Sequence, residues 1–235
     1  MSELKNKISR TFLENGITLT ENQAEQFEIY LNFLLEYNEK VNLTAVTDED
    51  EVILKHFVDS CLGADLIKPQ ALCADIGTGA GFPGVPLAII REDISVLLID
   101  ALNKRLVFLN ELKQKLGLKN VETLHSRSED AGQNPRFRQK YDYAFSRAVA
   151  RMNVLLEYDL PFVKCGGSML AWKGPQVFEE LDEAKNAVTL LGGKIKEVHK
   201  QTLQGADHYV VEIQKVKDTP NKYPRQAGLI KKKPL

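Results

Sequence analysis

The sequence predicts an α/β fold: a mostly parallel sheet covered by helices on both faces, preceded by a helical cap and closed by a C-terminal antiparallel edge. Three observations predict it. From Leu72 onward, short apolar runs alternate with helical stretches, the pattern of strands joined by crossover helices. Ahead of Leu72 the start signals and apolar spacing are helical. After Leu191, two strand-length runs follow each other with only a short turn around Gly205-Ala206-Asp207 between them, which suits a hairpin on one edge of the sheet.

Taken in order, Thr20 with Gln23 has the form of a capping box, and Phe27, Tyr30, Leu31, Leu34 and Leu35 then fall on one helical face. Asp48 with Glu51 opens a second helix carrying Val52, Leu54, Phe57, Val58, Cys61 and Leu62. Residues 1–67 are therefore read as the cap, 68–216 as the α/β core and 217–235 as a basic tail. Within the core the strands are placed at 72–76, 96–99, 121–124, 141–145 and 168–172, and the helices at 103–116, 152–163 and 175–191. The hairpin strands are placed at 194–203 and 208–216.

With 235 residues, 43% of them hydrophobic and 27% charged, the chain has the composition of a globular protein able to bury its own core. Lys and Arg total 31 against 32 Asp and Glu, so net charge does not announce nucleic acid. The balance hides the tail, where Lys217, Lys222, Arg225, Lys231, Lys232 and Lys233 face only Asp218. Cys61, Cys73 and Cys165 are odd in number and unpaired in spacing, which argues against a disulfide framework and against zinc. The beginning, Met1-Ser2-Glu3-Leu4-Lys5, has no apolar leader, and no run approaches the ~20 residues of a membrane span. A cytoplasmic protein without a membrane or metal partner is expected.

The strongest chemical signal is Ala74-Asp75-Ile76-Gly77-Thr78-Gly79-Ala80-Gly81-Phe82-Pro83-Gly84, where the first strand passes into a helix. Open α/β sheets bind ligands at such carboxyl ends. Glycines admit a ligand to the backbone, Asp75 sets a carboxylate where a cationic amino group can sit, and Asp100 closes the next strand where a ribose-binding acid is expected. Gly79 to Gly84 also satisfies the G-x-G-x-x-G pattern of nicotinamide enzymes. A pyrophosphate, however, wants free N–H groups at the helix start, and Pro83 and Pro86 remove two. S-adenosylmethionine carries no phosphate and is the better match. Asp100 has a competing ordinary use as a helix cap before Asn103 and Lys104.

Beyond this turn, the chain carries Tyr37-Asn38-Glu39-Lys40-Val41-Asn42-Leu43-Thr44, Lys55-His56-Phe57-Val58-Asp59-Ser60, Asp100-Ala101-Leu102-Asn103-Lys104-Arg105, Ser126-Arg127-Ser128-Glu129, Ser146-Arg147-Ala148-Val149-Ala150-Arg151 and Lys173-Gly174. On these motifs it resembles, over nearly its whole length, the bacterial 16S rRNA guanine-N7 methyltransferases, also called the glucose-inhibited division B family. The resemblance implies a class I, Rossmann-like S-adenosylmethionine-dependent methyltransferase with an N-terminal helical part. It implies cofactor contacts from Gly77, Phe82, Ser128, Glu129 and Arg147, with Asp75, Gly79 and Asp100 as neighbours. It also implies 16S rRNA as partner, in a small ribosomal subunit or an assembly intermediate; a monomer is the default. The chain departs from the family at Tyr37, where Trp is common, and in the tail 224–230, where relatives often carry more Lys and Pro.

N7 of guanine has a free lone pair at neutral pH, so no proton-transfer residue is expected and alignment should dominate. No Asn/Asp-Pro-Pro-Tyr/Phe signature of amino-group methylation occurs. Cys165 lies in an expected turn away from the site and is read as a small turn residue, not a nucleophile. Candidate RNA contacts are Arg151, four residues beyond Arg147 and on the same face if that segment is helical, and Lys173 on the same rim. Arg151 has a competing use as a surface partner of an acid such as Glu157. Lys104, Arg105, Lys222 and Arg225 are candidate phosphate contacts. His56 has two readings, a packing pair with Asp59 or a place on the active-site rim. Three alternatives stay open at this point: another RNA acceptor, a non-enzymatic ribosome-assembly protein, and a nicotinamide-dependent oxidoreductase.

Overall fold

The computed structural model describes residues 2–203 and 205–235. Helices α1 (Glu3–Glu14) and α2 (Glu21–Val41) come first, and Thr20 and Gln23 form the reciprocal capping box that starts α2. Asp48 caps α3 (Glu49–Val52), which runs on through a π-helical segment, Ile53–Val58, into α4 (Asp59–Cys61). The π segment has no sequence signal; it contains Lys55 and His56.

The core then alternates as read: β1 (Leu72–Ile76), α5 (Gly84–Ile90), β2 (Ser95–Asp100), α6 (Asn103–Lys115), β3 (Val121–His125), α7 (Ser128–Gln133), β4 (Tyr141–Arg147), α8 (Met152–Asp159), β5 (Val163–Lys173), α9 (Val177–Glu183), α10 (Lys185–Leu190), β6 (Gly193–Leu203) and β7 (Ala206–Lys215). A last short helix, α11 (Ala227–Lys232), lies in the tail. The seven strands form one sheet in the order β3-β2-β1-β4-β5-β7-β6. β1 to β5 pair in parallel, and β7 pairs antiparallel with both β5 and β6. β1 and β2 are apolar along almost their whole length and buried on both faces, as parallel strands between helix layers must be.

Several boundaries differ from the sequence reading, among them β5, expected at 168–172 and running Val163–Lys173. The helix expected over 152–163 stops at Asp159, because Pro161 has no N–H to continue the helical bonding and Val163 already starts β5. The helix expected over 175–191 breaks at Ala184 into α9 and α10 without a glycine or proline to mark it. In the hairpin, Ala206 and Asp207 pair with Leu203 and Thr202 and so belong to β7.

One core lies on each face of the sheet. Ile8, Phe12, Phe27, Leu31, Leu34 and Phe57 from the N-terminal helices share theirs with Phe108 and Leu112 of α6 and with Cys73, Phe145 and Trp172 of the sheet. The N-terminal helices thus cover the same face as α5 and α6. On the other face Leu155 and Leu156 of α8 pack with Val177, Leu181 and Val188, and Ile230 of α11 joins them, fully buried. Each large apolar side chain buried in this way contributes roughly 1.5–3 kcal/mol. Among the described residues, no helix is long and apolar enough to cross a membrane.

Candidate functional site

The strand order reverses between β1 and β4, and the carboxyl ends of β1, β2, β3 and β4 open there into a cavity of about 570 Å³. Its walls include Gly77, Thr78, Gly79 and Phe82 after β1, Asp100 and Arg105 at β2, Ser128 and Glu129 after β3, and Arg147 to Ala150 after β4. Residues far apart in sequence complete it: Leu43, Thr44, His56, Tyr158, and Ala227 and Lys231 of the tail. Their distance from the glycine turn left no local spacing to find them by.

The turn is held by its own backbone and two acids. Gly77 and Thr78 N–H donate to the Ile99 carbonyl, and Gly79 N–H donates to Asp100 Oδ2 at 3.0 Å. Asp100 also accepts from Leu102 N–H and from Arg105 Nη1 at 3.1 Å. It is therefore both pocket wall and cap of the α6 approach, and Arg105, expected on phosphate, is its partner. Gly77 and Gly79 have φ of +70° and +62°, a region that disfavours side chains. A Cβ on Gly79 would meet nothing closer than its own turn at 4.0 Å, so it would occupy the cavity. Below the turn, the Tyr30 hydroxyl donates to the Ala80 carbonyl at 2.6 Å, tying α2 to the site.

Asp75 does something other than expected. It is fully buried and does not line the cavity; its Oδ2 accepts from Thr78 Oγ1 at 2.7 Å and from Gly84 N–H at 2.8 Å. Burial pushes its pKa up to about 7 against the pull of those donors. It braces the turn from beneath, and in doing so it takes the first N–H of α5. Val85 N–H is bonded to the Gly81 carbonyl and Pro86 has none. The start of α5 has no donor left among its first three residues for a pyrophosphate, which removes the physical basis of a dinucleotide reading. A phosphate-free ligand with hydroxyl, amino and carboxylate groups fits a pocket whose acids are Asp100 and Glu129.

A second cavity of about 550 Å³ adjoins the first, sharing His56 and residues 147–150. Ala148, between them, is held at φ +56°, a conformation costing roughly 1–2 kcal/mol for a residue with a Cβ. Arg147 stands at the junction. Its Nη1 donates to Asp59 Oδ2 at 2.8 Å and to the Lys55 carbonyl at 2.9 Å, and its guanidinium lies 4.8 Å from the Phe82 ring centre. Arg147 Nη2 lies 3.2 Å from His56 Nδ1. Nδ1 also lies 3.2 Å from the Lys55 carbonyl, and Nε2 lies 2.9 Å from Thr44 Oγ1. Burial and the neighbouring Arg147 charge lower the His56 pKa to about 4, so the ring is neutral.

His56 therefore sits on the rim and does not bond Asp59. The partner of Asp59 is His208, whose Nδ1 lies 2.8 Å from Oδ1. Burial pushes the Asp59 pKa up, but His208 and Arg147 outweigh it and hold the carboxyl below its usual range, while Asp59 raises His208. Sequence reasoning left His208 without a role, since 149 residues separate it from Asp59.

The remaining candidates separate by what they touch. Arg147 ends β4 and Arg151 precedes α8, so they share no helix face. Arg151 is half exposed and pairs with Glu183 at 2.9 Å and Glu179 at 3.4 Å, not with Glu157. Lys173 is partly buried, donating to the Ala150 carbonyl and to Glu180, both at 2.7 Å. Lys104 reaches the Val41 carbonyl, and Lys222 lies over the Tyr223 ring. Arg225, expected on RNA, instead grips the fully buried Glu157 through Nε and Nη2 at 2.8 and 2.7 Å. Cys165 lies in β5 and donates to Asp218, which pushes its thiol pKa up, the opposite of an activated nucleophile. Among the described residues, no group of three His, Cys, Asp or Glu is placed to hold a metal.

The family model described as GidB, rRNA small subunit methyltransferase G, matches residues 23–210. A ribosomal RNA small subunit methyltransferase G from Clostridium perfringens (strain 13 / Type A) is 48% identical over 224 residues, 94% of each chain. One from Desulforamulus reducens is 48% identical over 239 residues and covers both chains completely. Among solved structures, a SAM-dependent methyltransferase from Aquifex aeolicus superposes with a TM-score of 0.52 at 21% identity, over 73% of this chain and 96% of its own. M. jannaschii TYW2 in complex with AdoMet does so with 0.52 at 16% identity, over 67% and 75%. The structural likenesses establish the fold.

Proposed function

The chain belongs to the rRNA small subunit methyltransferase G family, and from that premise we propose that it methylates N7 of a guanine in 16S ribosomal RNA using S-adenosylmethionine. We take it to act as a cytoplasmic monomer on a small ribosomal subunit or an assembly intermediate. The observation that carries the assignment is the pair of adjoining cavities, one walled by the glycine turn and the other rimmed by Lys55, Arg147, Arg151, Lys173 and His208. The first suits the cofactor, and the second suits one base rotated out of an RNA chain.

S-adenosylmethionine supplies, when bound, an electrophilic methyl group on a positively charged sulfur. Of the chain's residues, Asp100 faces the cavity as the acceptor for ribose hydroxyls, while Ser128 and Glu129 form the wall after β3. The bent backbone at Ala148 and the stack of His56 and Arg147 on Phe82 define the passage between cavities. No side chain is required to remove a proton from N7. The groups at the passage agree with this: His56 is neutral, with both nitrogens engaged, and Asp59 is held by Arg147 and His208. Alignment alone can supply roughly 7–11 kcal/mol in well-oriented systems. Arg151, whose glutamate partners are exposed, is free to exchange them for RNA phosphate.

The test is transfer of label from radiolabelled S-adenosylmethionine to deproteinised rRNA and, separately, to small subunits from a strain lacking the gene, mapped by N7-specific strand cleavage. Label at one guanine establishes the reaction and tells which RNA state is accepted. Cofactor binding with no label on either intact substrate would point to another acceptor.

A further inference from the structure

The tail, read from the sequence as a basic extension with candidate phosphate contacts, is a strap fastened along its length. Lys215, at the end of β7, is buried; it donates to the Leu160 carbonyl at 2.6 Å and to the Thr219 hydroxyl. Arg138 gathers the Thr219 and Tyr223 carbonyls, each at 2.7 Å, and Gln133 donates to the Pro224 carbonyl at 2.8 Å. Arg225 then closes on Glu157 of α8 with two side-chain bonds, and its own N–H donates to the same carboxylate at 2.7 Å. Leaving either partner of so buried a pair alone costs far more than the pair itself contributes, so the clamp fixes where the strap ends.

It ends on the cofactor side. Immediately after Arg225, α11 packs against α8 and buries Ile230 completely. Ala227 and Lys231, one helical turn apart and flanking Ile230 on the same side, line the 570 Å³ cavity together with Tyr158 of α8 and Glu129 of α7. We propose that the strap is a wall of the S-adenosylmethionine pocket, with Ala227 and Lys231 as cofactor-positioning residues set in place by the Arg225–Glu157 clamp, and that its basic residues serve cofactor retention before RNA. The small side chain at 227 leaves room for the ligand. Among the described residues the exposed Lys231 ammonium has no carboxylate partner, and it adds a cation to a lining whose acids are Asp100 and Glu129. This rests on the assignment of the larger cavity to the cofactor.

The test uses the full chain and calorimetric binding of S-adenosylmethionine and S-adenosylhomocysteine, beside RNA binding measured over a range of salt. Ala227→Phe keeps every fastening of the strap and places a ring in the cavity. It should weaken both cofactor forms about tenfold or more, with RNA affinity, its salt slope and the melting temperature unchanged. Lys231→Ala should move cofactor affinity in the same direction by a smaller factor and leave the salt slope alone. Cofactor affinity unchanged in both variants, or a loss confined to RNA binding, would overturn the strap's role while leaving the pocket assignment standing. Failure of the unaltered chain to bind S-adenosylmethionine would sink both together.

Discussion

The two adjoining cavities are built by different means. The larger cavity, proposed above for the cofactor, is framed by main chain: glycines at positive φ, carbonyl and N–H groups bonded within the turn, and two acids, Asp75 and Asp100, that hold the loop from below and from the side. The second cavity is framed by side-chain ion pairs from distant segments, Arg147 with Asp59, Asp59 with His208, Lys173 with Glu180 and Arg151 with Glu183. A backbone frame tolerates little change in shape. A frame of ion pairs tolerates shape change but not the removal of one partner.

The largest expected effect falls on the second frame. Asp59→Ala leaves Arg147 and His208 facing each other without their shared carboxylate, and losing one partner of a buried pair costs roughly 3–5 kcal/mol. Chemical denaturation should show that loss, and methyl transfer should fall further than S-adenosylmethionine affinity. An equal fall in both would mean that the two frames are not independent. Next is Gly84→Ala, whose new Cβ would lie 2.6 Å from both Asp75 Oδ2 and Leu98 Cδ2. Overpacking of this kind costs about 1–3 kcal/mol. Here calorimetry should find cofactor affinity reduced; an unchanged affinity would show that the turn can yield after all.

A smaller effect is expected from pH. Because His56 has its pKa lowered from 6.5 to about 4, the unfolded chain binds more protons at this residue than the folded one between those values. Its contribution to stability is complete above pH 6.5 and is lost as pH falls toward 4. Melting temperatures of His56→Gln followed over that range should decline less steeply than those of the unaltered protein, and parallel curves would contradict the assignment of a neutral ring. The smallest effect belongs to Asp75→Asn. An amide oxygen still accepts from Thr78 and Gly84, and a carboxyl whose pKa is about 7 is already partly neutral. Cofactor affinity should stay within about twofold; a collapse would mean that Asp75 meets the cofactor's amino group directly.

The same contrast explains what was legible in the sequence. The parallel strands, the edge hairpin and the glycine turn are local facts, written as apolar runs of strand length and as glycines at fixed offsets, and the fold reads directly from them. Gly77, Gly79, Phe82, Asp100, Ser128, Glu129 and Arg147 line one cavity because each stands at or after the carboxyl end of a strand. Asp75 stands there too, yet its strand turns the carboxylate inward, a matter of side-chain direction that the motif does not express. His208 with Asp59 and Arg225 with Glu157 join residues 149 and 68 positions apart, and no local spacing encodes such pairs. The π-helical segment at Ile53–Val58 and the break at Ala184 likewise have no glycine or proline to announce them.

The bond between Asp59 and His208 also orders events in time. A growing chain that has exposed Gly77 to Gly84 has all the residues of the glycine turn, with α2 already made to buttress it. The acceptor side cannot close until β7 has been synthesised and paired into the sheet, because His208 arrives on that strand. Chains shortened before His208 lack the histidine partner of Asp59 and part of the second cavity's rim, and those shortened before Ala227 also lack the strap that lines the larger one.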